Sequence, residues 1–515
     1  MRVAFHTLGC KVNQYETEAM KEAFVSRGAE IVGEDEVADV YIVNTCTVTN
    51  IADRKSRQYI RRMKGVNPEA YVLVTGCYAQ VEAEEVAGLP EVDMVVGNGK
   101  KSLICDIVMA AVAGRDISEV ADPARLVLPR NELTEFEDMG LVVSSESGMT
   151  RAYIKIQEGC DRFCAYCLIP FARGPVRSRP LDDILKEARM LLDAGYRELV
   201  LTGINTALYG TEPSFEIKLH DEEGNIYPGC EELAHCYDIA NPCSESHFDN
   251  TETSRSEDNI SVIPFSSIEI LLARLNALEG DFRIRFSSLE PTVVNKNEVE
   301  RIIRYDKLCH HLHLSAQSGS SDVLKLMNRR YSKEEYLDIV KAIHDYDPLY
   351  NITTDIIVGF SGETEEDFAD SLDITNQCEF GKVHVFRYSV RKGTVGENLP
   401  DAIPSAVKAD RSAILSHTAE EVAHRFHEKN FGYPCRILIE ETVTIGGRKY
   451  YTGYTGNYIR AYIAADSLAS GLHNNTCSFD SGSLADTLIG SFIDAVLYDH
   501  FEDGCLARAT RLYHA

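Results

Sequence analysis

Three cysteines lie close together in the chain, at Cys160, Cys164 and Cys167. Three thiolates within eight residues can bind one cubane cluster and leave one iron without a protein ligand, whereas closed zinc and ferredoxin-type sites have a fourth ligand. The spacing therefore predicts an iron–sulfur site whose open iron can take a substrate. The alternative is a zinc knuckle or a chance grouping of thiols.

Three further cysteines, Cys10, Cys46 and Cys77, are far apart in the sequence but occupy equivalent positions. Each follows a predicted strand and precedes a predicted helix. In a parallel sheet, the loops at the carboxyl ends of the strands gather at one crevice, where ligands bind. We therefore expect these thiols to converge on a second three-thiolate site, again with an open iron. The alternative is that they are small buried residues at strand ends, which is common for cysteine.

The elements that would position this second set fill residues 1–117, which alternate short β-rich runs with amphipathic segments. The alternation predicts βαβ units and a doubly wound parallel sheet. The predicted strands are Val3–Thr7, Val40–Asn44, Tyr71–Thr75 and Met94–Val96, and the predicted helices are about Gln14–Arg27 and Ile51–Lys64, with others starting near Ala79 and Lys101. Residues 118–148 are rich in Asp, Glu, Pro and Ser without a period, which predicts a linker.

Residues 149–402 contain a second βα series, which would carry the first cysteine set. Its predicted strands are Ala152–Gln157, Glu198–Thr202, Arg283–Ser287, His311–Ala316, Asn351–Val358 and Val383–Ser389. Six such repeats predict a partial (β/α)6 barrel, whose chemistry lies at the carboxyl ends of the strands. Polar residues of these strands and the loops after them are predicted to bind a cofactor: Gly203, Asn205, Ser288, Glu290, Ser315, Gln317 and Asp355. Any one of them alone is more often only a turn residue.

An acidic segment, residues 211–266, separates the second and third of these strands. It contains thirteen acidic and two basic residues, a net charge of −11. This composition predicts a mobile insertion. The segment also contains five potential metal ligands whose spacing fits no recognised metal site, so a solvated loop is favoured over a metal centre. They are Cys230, His235, Cys236, Cys243 and His247.

The end of the chain changes in pattern. Residues 403–430 have apolar residues at near-helical spacing, which predicts a helical connector. Residues 431–515 contain short β runs that predict a small closed β-barrel, with strands Cys435–Glu440, Lys449–Gly453, Tyr458–Ala464 and Ala485–Val496 and a loop expansion at 466–484. Five tyrosines among basic residues offer stacking contacts for single-stranded RNA, although most are expected to pack the barrel. They are Tyr450, Tyr451, Tyr454, Tyr458 and Tyr462.

The composition bounds the class of protein. A chain of 515 residues is too long for one core, so two to four domains are expected. Fifteen cysteines without an apolar leader after Met1 predict a cytoplasmic protein with metal or redox chemistry rather than disulfides. No apolar run is long enough to span a membrane. The net charge of −28 argues against a nucleic-acid partner, but a basic run at residues 54–64 leaves the question open.

Taken together, these parts resemble the methylthiotransferases of the radical S-adenosylmethionine (SAM) superfamily over nearly the whole chain. These enzymes have an N-terminal domain with an auxiliary cluster, a central radical SAM barrel and a C-terminal RNA-binding TRAM domain. The motifs at His6–Glu18, Cys160–Cys164 and Ile169–Gly174 resemble the branch that acts on threonylcarbamoyladenosine next to the anticodon of tRNA. The branch that acts on isopentenyladenosine usually has Gly-Cys-Gln-Met-Asn and Cys-Asn-Asn-Phe-Cys instead. The chain departs from the family pattern in its two insertions and at Ser389–Arg391.

The resemblance implies two [4Fe–4S] clusters and SAM as cofactors, with the six cysteines as cluster ligands and Tyr166 against the adenine of SAM. The cluster of the first cysteine set would cleave SAM to a 5′-deoxyadenosyl radical, and the cluster of the second would deliver sulfur to carbon 2 of the adenine in tRNA. The implied partners are the tRNA anticodon loop, an electron donor such as flavodoxin or ferredoxin, and a sulfur source. No membrane is expected as a partner. The alternatives are a methylthiotransferase for isopentenyladenosine or for a ribosomal protein, and a non-catalytic iron–sulfur protein that binds RNA or senses redox state.

Overall fold

The N-terminal part of the chain is a five-stranded parallel sheet with helices on both faces. The structure is a computed structural model that describes residues 1–140, 150–221, 223–234, 265–291, 295–471 and 488–512. The strands are β1 Arg2–Thr7, β2 Glu30–Val32, β3 Val40–Thr45, β4 Tyr71–Gly76 and β5 Met94–Val95, in the order β2-β1-β3-β4-β5. The helices are α1 Lys11–Ser26, α2 Asn50–Val66, α3 Cys77–Val81, α4 Ala83–Ala87 and α5 Ile104–Val112. Strand β2 was not predicted, because three partly exposed residues give too short a signal.

The hydrophobic pattern explains this sheet. All six residues of β3 are buried, as expected for the central strand of a sheet that is covered on both faces. Helix α2 begins at Asn50 because the Thr49 side chain accepts a hydrogen bond from the amide of Ala52 at 3.2 Å. Each of β1, β3 and β4 is followed at once by a helix or a turn, so their carboxyl ends form one edge.

The central part is an open barrel of six parallel strands. They are β6 Arg151–Lys155, β9 Glu198–Thr202, β10 Arg283–Phe286, β11 His311–His313, β12 Asn351–Val358 and β13 Lys382–Arg387, with a short antiparallel pair, β7 Gln157–Glu158 and β8 Arg177–Ser178, beside the first strand. Single parallel bridges, Ile284 to Leu308 and Leu289 to Leu314, connect the two halves of the barrel. The outer helices are Ile169–Arg173, Leu181–Asp193, Ser267–Asn276, Lys296–Ile302, Ser321–Leu326, Lys333–Tyr346 and Glu365–Gln377.

The C-terminal part is a closed five-stranded barrel that follows a long helix, Ser405–Lys429. Its strands are β14 Pro434–Ile445, β15 Arg448–Thr455, β16 Arg460–Ala464, β17 Phe492–Phe501 and β18 Gly504–Leu512, and a short helix spans Ala465–Gly471. The predicted last strand began too early, and β18 was missed. The predicted fold class is confirmed: a doubly wound parallel sheet, a partial six-stranded βα barrel and a small β-barrel. Within the described ranges, none of the helices is both long and apolar enough to cross a membrane.

The segment predicted as a linker, residues 118–148, is packed in its described part, which ends at 140. Leu126, Leu128 and Leu133 are buried. The carbonyl of Leu128 accepts from Gln80 Nε2 of the N-terminal sheet at 2.7 Å, and that of Leu133 accepts from Arg177 Nη1 of the barrel at 2.6 Å. The three leucines are irregularly spaced and show neither a helical nor a strand period. For that reason the sequence predicts a linker where the structure has a segment packed between two domains.

The acidic segment at 211–266 also contradicts the prediction of a mobile insertion over its described residues, 211–221 and 223–234. Ile217, Leu219, Cys230 and Leu233 are buried in the main core of the central barrel. The thiol of Cys230 is therefore a core group. The other four potential ligands of the predicted solvated loop, His235, Cys236, Cys243 and His247, lie outside the described residues.

The C-terminal barrel closes the amino-terminal end of the central barrel. The ring of Tyr458 lies 3.9 Å from the Arg285 guanidinium of β10 and stacks on Tyr454 at 4.5 Å. Asn457 accepts a hydrogen bond from Asn351 at 2.8 Å through its carbonyl. The remaining tyrosines of the predicted RNA-stacking set are buried, namely Tyr450, Tyr451 and Tyr462. The five tyrosines therefore pack the barrel and its contact with the central barrel, and they form no exposed stacking surface.

Candidate active site

The first cysteine set lies in the loop between β7 and β8. Gly159 opens this loop with φ +76°, and a Cβ there would lie 1.7 Å from the carbonyl oxygen of Pro175, so only glycine fits. The amide of Cys160 donates to Gly174 O at 3.0 Å, and that of Cys167 donates to Cys164 O at 3.0 Å. These bonds fold the loop so that its three thiols are near enough to one another for their charges to interact.

Two nitrogen donors reach sulfur atoms of this set. The amide of Ile169 lies 3.4 Å from Cys167 Sγ, and Arg329 Nη1 lies 3.4 Å from Cys164 Sγ. Burial raises the pKa values of Cys160 and Cys167 to about 12. The charge of the neighbouring Cys164 adds to this rise, while backbone hydrogen bonds oppose it. Metal binding by these thiols therefore requires the loss of their protons.

The second set lies at the carboxyl edge of the N-terminal sheet, as predicted from the strand ends. Gly9 and Gly76 have φ of +114° and +96°, and a Cβ on Gly9 would lie 2.9 Å from the Cβ of Cys46. These glycines let the three loops approach closely. Cys46 and Cys77 are buried, whereas Cys10 is exposed. Burial, and then the charges of Cys77 and Cys10 among others, raise the pKa of Cys46 to about 12.

Arg173 joins the two cysteine sets. It ends the short helix that follows the first set, and its Nε lies 3.4 Å from Cys77 Sγ of the second. Its Nη2 donates to Asn13 Oδ1 at 2.5 Å. Asn98 adds a second link, because its Nδ2 donates to Ala172 O at 2.8 Å and lies 3.9 Å from Cys77 Sγ. The second set is therefore in contact with the segment that carries the first.

A buried charge cluster surrounds this joint. Glu16 of α1 is fully buried and pairs with Arg173, Lys101 and Lys155. Burial alone would raise the pKa of Glu16, but the three cations hold it well below its usual range. One carboxylate of the N-terminal sheet thus binds cations from both domains, which fixes the orientation of the two cysteine sets.

The predicted cofactor residues Gly203, Asn205 and Glu290 meet at the strand ends. Asn205 Nδ2 donates to Glu290 Oε2 at 2.6 Å. Glu290 also lies 3.4 Å from both Arg162 and Arg329, and Arg329 contacts Cys164, so this network reaches the first cysteine set. Gly203 has no room for a side chain, since a Cβ would lie 2.9 Å from Gln157 Oε1.

The remaining predicted cofactor residues lie along the same edge or deeper in the barrel. Tyr166 packs edge-on against Phe360. The carbonyls of Ser288 and Ser315 accept hydrogen bonds from Thr206 and Tyr331, and Gln317, in the left-handed conformation with φ +64°, donates its amide to Asp355 O. The Asp355 carboxylate lies 3.3 Å from His313 Nε2 inside the barrel. Asp355 therefore faces a histidine rather than the cysteine loop.

Several site residues were missed by the sequence reasoning. Arg162, Arg173 and Arg329 contact the cysteine sets or the network that reaches them. Arg162 and Arg173 stand in the motifs around the first set, which was the available signal. Nothing in the sequence near Arg329 points to Cys164, which is 165 positions away.

The donor sets fit iron–sulfur clusters. Each set brings together three thiols, the ligand type that holds such clusters, and N–H donors of Ile169, Arg329 and Arg173 point at sulfur atoms as they do around clusters whose potential is tuned by the protein. Beside the first set, Asn205 Oδ1 is buried without a hydrogen-bond partner among the described residues. An unpaired buried acceptor of this kind is available to a bound polar ligand such as SAM.

Comparisons with known proteins agree with this geometry. Residues 2–97 match a family described as "Uncharacterized protein family UPF0004", and residues 154–374 match the "Radical SAM superfamily". The two matches contain the second and first cysteine sets, respectively. SAM and [4Fe–4S] clusters, predicted as cofactors, are confirmed by the superfamily.

Full-length relatives extend these matches. The chain is 35% identical to the threonylcarbamoyladenosine tRNA methylthiotransferase MtaB of Aquifex aeolicus, over 86% of this chain and 93% of that protein. It is 36% identical to MtaB of Bacillus subtilis, over 89% of each. It is 31% identical to the tRNA-2-methylthio-N(6)-dimethylallyladenosine synthase of Moorella thermoacetica, over 84% of this chain and 86% of that one. The chain therefore belongs to the radical SAM methylthiotransferase family.

Proposed function

We propose that this protein methylthiolates carbon 2 of N6-threonylcarbamoyladenosine next to the anticodon of tRNA. A tRNA substrate is supported by relatives of both branches, which carry tRNA in their names. The similarity to the two branches differs by only a few per cent identity, so the choice of base needs an observation within the site. That observation is the environment of Lys11.

Lys11 follows Cys10 at the start of α1. Its ammonium forms no hydrogen bond or ion pair with another described residue. Burial, followed by the positive charges of Arg285 and Arg151, lowers the pKa of Lys11 to about 8. The group is therefore still mainly protonated at neutral pH, and it is a cation without a counter-ion beside the second cysteine set.

The ammonium of Lys11 lies toward the interior of the central barrel. After burial and nearer charges, it contributes to the lowered pKa values of His311 and His384 on β11 and β13. Glu198, the carboxylate whose charge acts on Lys11, is already paired with Arg283 and Arg285, and Asp355 of the interior pairs with His313. The interior near Lys11 thus favours a negatively charged group of the substrate.

The two candidate bases differ in this respect. A threonylcarbamoyl group ends in a carboxylate, which can form a charge-assisted hydrogen bond with the ammonium. An isopentenyl group is apolar and would bury the ammonium without a partner, which is unfavourable. The chemistry of Lys11 therefore favours threonylcarbamoyladenosine over isopentenyladenosine.

The cysteines have separate roles in this proposal. Cys160, Cys164 and Cys167 hold the cluster that binds SAM, and Cys10, Cys46 and Cys77 hold the second cluster. When bound, the first cluster and SAM supply a 5′-deoxyadenosyl radical, and the second supplies sulfur. Arg173 keeps the two cysteine loops in contact, so that one bound base could be reached from both clusters.

The protein side chains would orient SAM and exclude water. Asn205 offers its free Oδ1, and Glu290, held by Arg162 and Arg329, offers a fixed carboxylate. Tyr166 offers an aromatic ring, while Gly203, Ser288, Ser315 and Gln317 shape the strand ends around the ligand. Asp355 would act indirectly, by fixing the ring of His313.

The proposal is tested by replacing Lys11 with Gln. We expect formation of the methylthiolated threonylcarbamoyladenosine to fall at least about tenfold, because a hydrogen bond to a charged group contributes roughly 1.5–3 kcal/mol. Cleavage of SAM to 5′-deoxyadenosine should continue. Lys21→Gln is the matched control on the same helix, because Lys21 already pairs with Glu18.

The readout is nucleoside analysis of tRNA from a deletion strain that carries each variant. Unchanged product with Lys11→Gln would contradict the choice of base. Methylthiolated isopentenyladenosine in the tRNA, a modified ribosomal protein in mass spectrometry of the ribosomes from the same strains, or no modification in either would each point to one of the three alternatives. The last outcome together with absent SAM cleavage would favour a non-catalytic iron–sulfur protein.

The assignment of the clusters is tested separately. Changing Cys160, Cys164 and Cys167 to Ala should remove about half of the bound iron and abolish SAM cleavage, since each set is expected to hold one of two clusters. Changing Cys10, Cys46 and Cys77 should remove the other half and leave SAM cleavage measurable without sulfur transfer. Wild-type iron content in either variant would refute the assignment.

The partners follow from the reaction class. An electron donor such as flavodoxin or ferredoxin is needed to reduce the first cluster, and a sulfur source must renew the second. We therefore include an electron donor, a sulfur source and a cytoplasmic location in the proposed function.

A further inference from the structure

A second group of metal-ligand side chains lies in the C-terminal part, outside both cysteine sets. One ring nitrogen of His427, one of His500 and the sulfur of Cys505 all lie within 4.8 Å of one another. His427 belongs to the last turn of the helix Ser405–Lys429. His500 and Cys505 face each other as a pair across β17 and β18. The helix and the hairpin therefore meet at these three side chains.

The potential ligand atoms are buried and without partners. Cys505 is fully buried, with 0% of its surface exposed. The Nδ1 atoms of His427 and His500 are also buried, and neither has a hydrogen-bond partner among the described residues. Leaving such a polar atom unsatisfied costs roughly 1–3 kcal/mol. Two unsatisfied imidazole nitrogens beside one thiol are explained if a bound cation uses their lone pairs.

The surroundings of His500 have the arrangement of a metal ligand. Its Nε2 lies 3.4 Å from Glu428 Oε1, so the other ring nitrogen is left facing the group. Ligating histidines usually donate their second ring nitrogen to a carboxylate, which fixes the tautomer and the ring orientation. His424, one turn before His427, lies outside the 4.8 Å group, but its ring centroid is 4.5 Å from that of His500, which makes it the candidate for a fourth nitrogen after a side-chain rotation.

We propose that His427, His500, Cys505 and His424 bind one zinc ion that fastens the helix Ser405–Lys429 to the β17–β18 hairpin. Three imidazoles and one thiolate suit tetrahedral Zn²⁺, with bonds of about 2.0–2.1 Å to nitrogen and 2.3 Å to sulfur. Binding would draw the ligand atoms of His427, His500 and Cys505 together from separations that are now at most 4.8 Å. On binding, Cys505 releases its proton to solvent and the histidines bind as neutral rings, with no change of oxidation state.

The site is structural in this proposal. Four protein ligands leave no open position for a substrate, and closed zinc sites of this kind stabilise folds. The helix connects the central barrel with the small barrel, and the hairpin is the last strand pair of the chain. The zinc ion would therefore strengthen the attachment of the C-terminal barrel to the helix that precedes it.

The test uses the full chain with both iron–sulfur clusters loaded, so that the six cluster cysteines are occupied. After dialysis against zinc and then metal-free buffer, we expect about one zinc per chain in addition to the iron. His500→Gln and Cys505→Ser should lose the zinc and keep the iron. His417→Gln is the control on the same helix, because His417 is 75% exposed and far along the helix from the group.

Zinc-edge X-ray absorption identifies the ligands without interference from iron. One sulfur and three nitrogen ligands are expected, with the sulfur lost in any zinc that Cys505→Ser retains. Absence of zinc in the wild-type chain, unchanged zinc in both variants, or zinc bound by three sulfur atoms would overturn the site. His424→Ala should lower zinc affinity at least about tenfold in competition with a chelator, and unchanged affinity would overturn the fourth ligand. A variant that does not fold is replaced by His427→Gln, judged by the same metal ratio.

Discussion

At the scale of single residues, Arg173 makes two buried contacts at the joint between the two cysteine sets. It contacts the sulfur of Cys77 and pairs with Glu16, and all three groups are buried. Removing one partner of a buried ion pair leaves an uncompensated charge and is strongly destabilising, whereas an exposed pair contributes little. Arg173 forms a buried pair of this kind with Glu16, whereas Arg62 forms an exposed pair with Asp35.

We therefore expect Arg173→Gln to lower the thermal midpoint of unfolding by more than about 6 °C, from roughly 3–5 kcal/mol of lost stability. Arg62→Gln, which breaks the exposed pair with Asp35, should shift it by less than about 3 °C. Calorimetry of the two variants checks both values. Equal shifts would show that Arg173 is not held by buried charges.

Glu298 gives a prediction about pH. Burial raises its pKa to about 7, and the charge of Glu269 adds to this effect. The folded chain therefore binds this proton more tightly than the unfolded chain, so stability falls as pH rises from about 4.5 to 7. The loss is about 3 kcal/mol, since one pKa unit corresponds to about 1.4 kcal/mol.

Glu298→Gln removes this loss and should raise the unfolding midpoint at pH 8 but leave it nearly unchanged at pH 5. Glu300→Gln, on the same helix and with a side chain 42% exposed, should have little effect at either pH. Thermal unfolding at the two pH values measures the difference. A midpoint that rises equally at both pH values would contradict the raised pKa.

The sequence indicated the thiols of the site but not the charges around them. Three cysteines at strand ends converge because a parallel sheet brings its carboxyl ends together, which follows from topology alone. The pairing of Glu16 with Lys101, Lys155 and Arg173 depends on how two domains dock, and no local pattern encodes it. Lys11 stood in a recognised motif, yet its lack of a counter-ion appears only in three dimensions.

At the scale of elements, the segment 211–234 shows how average composition misleads. The segment 211–266 has a net charge of −11, yet a few apolar side chains of its described part reach the core. Ile217, Leu219 and Leu233 are each at most 8% exposed. A short segment needs only such anchors to pack, because its neighbours supply the rest of the core.

Leu219→Ala should therefore destabilise the chain by about 2–5 kcal/mol, as expected for a buried leucine that leaves a cavity. Ile226→Ala is the control in the same segment, because Ile226 is 41% exposed, and should change stability little. Chemical denaturation of the central barrel measures both. Two equally small effects would restore the interpretation of a mobile insertion.

At the scale of the whole molecule, the net charge of −28 hides a local cationic surface. Arg54, Lys55 and Arg61 of α2 are exposed and form no ion pair with other described residues. The start of α2 is tied to the end of the central barrel, because Arg391 contacts Asp53 at 2.6 Å. These three cations therefore lie on the helix that borders the joint between the two domains.

Changing Arg54, Lys55 and Arg61 to Gln should weaken binding of tRNA and lower the salt dependence of its affinity by about 2–3 in logarithmic slope, since each phosphate contact releases close to one counter-ion. SAM cleavage should not change. Lys296, Lys325 and Lys341 form the control set, because each is exposed and already has an acidic neighbour. An equal loss of affinity in the control set would show only a general effect of charge.

The contact of Tyr458 with Arg285 also bears on how the chain is made. About 170 residues separate the two positions, and at ribosomal rates of 5–20 residues per second Tyr458 is synthesised roughly 10–35 s after Arg285. Throughout that interval the amino-terminal end of the nascent central barrel is uncovered, so the arginines and histidines at that end are exposed to water. The last domain to leave the ribosome is thus the one that completes the middle domain, and a chain stalled before Tyr458 should remain a substrate for chaperones and proteases.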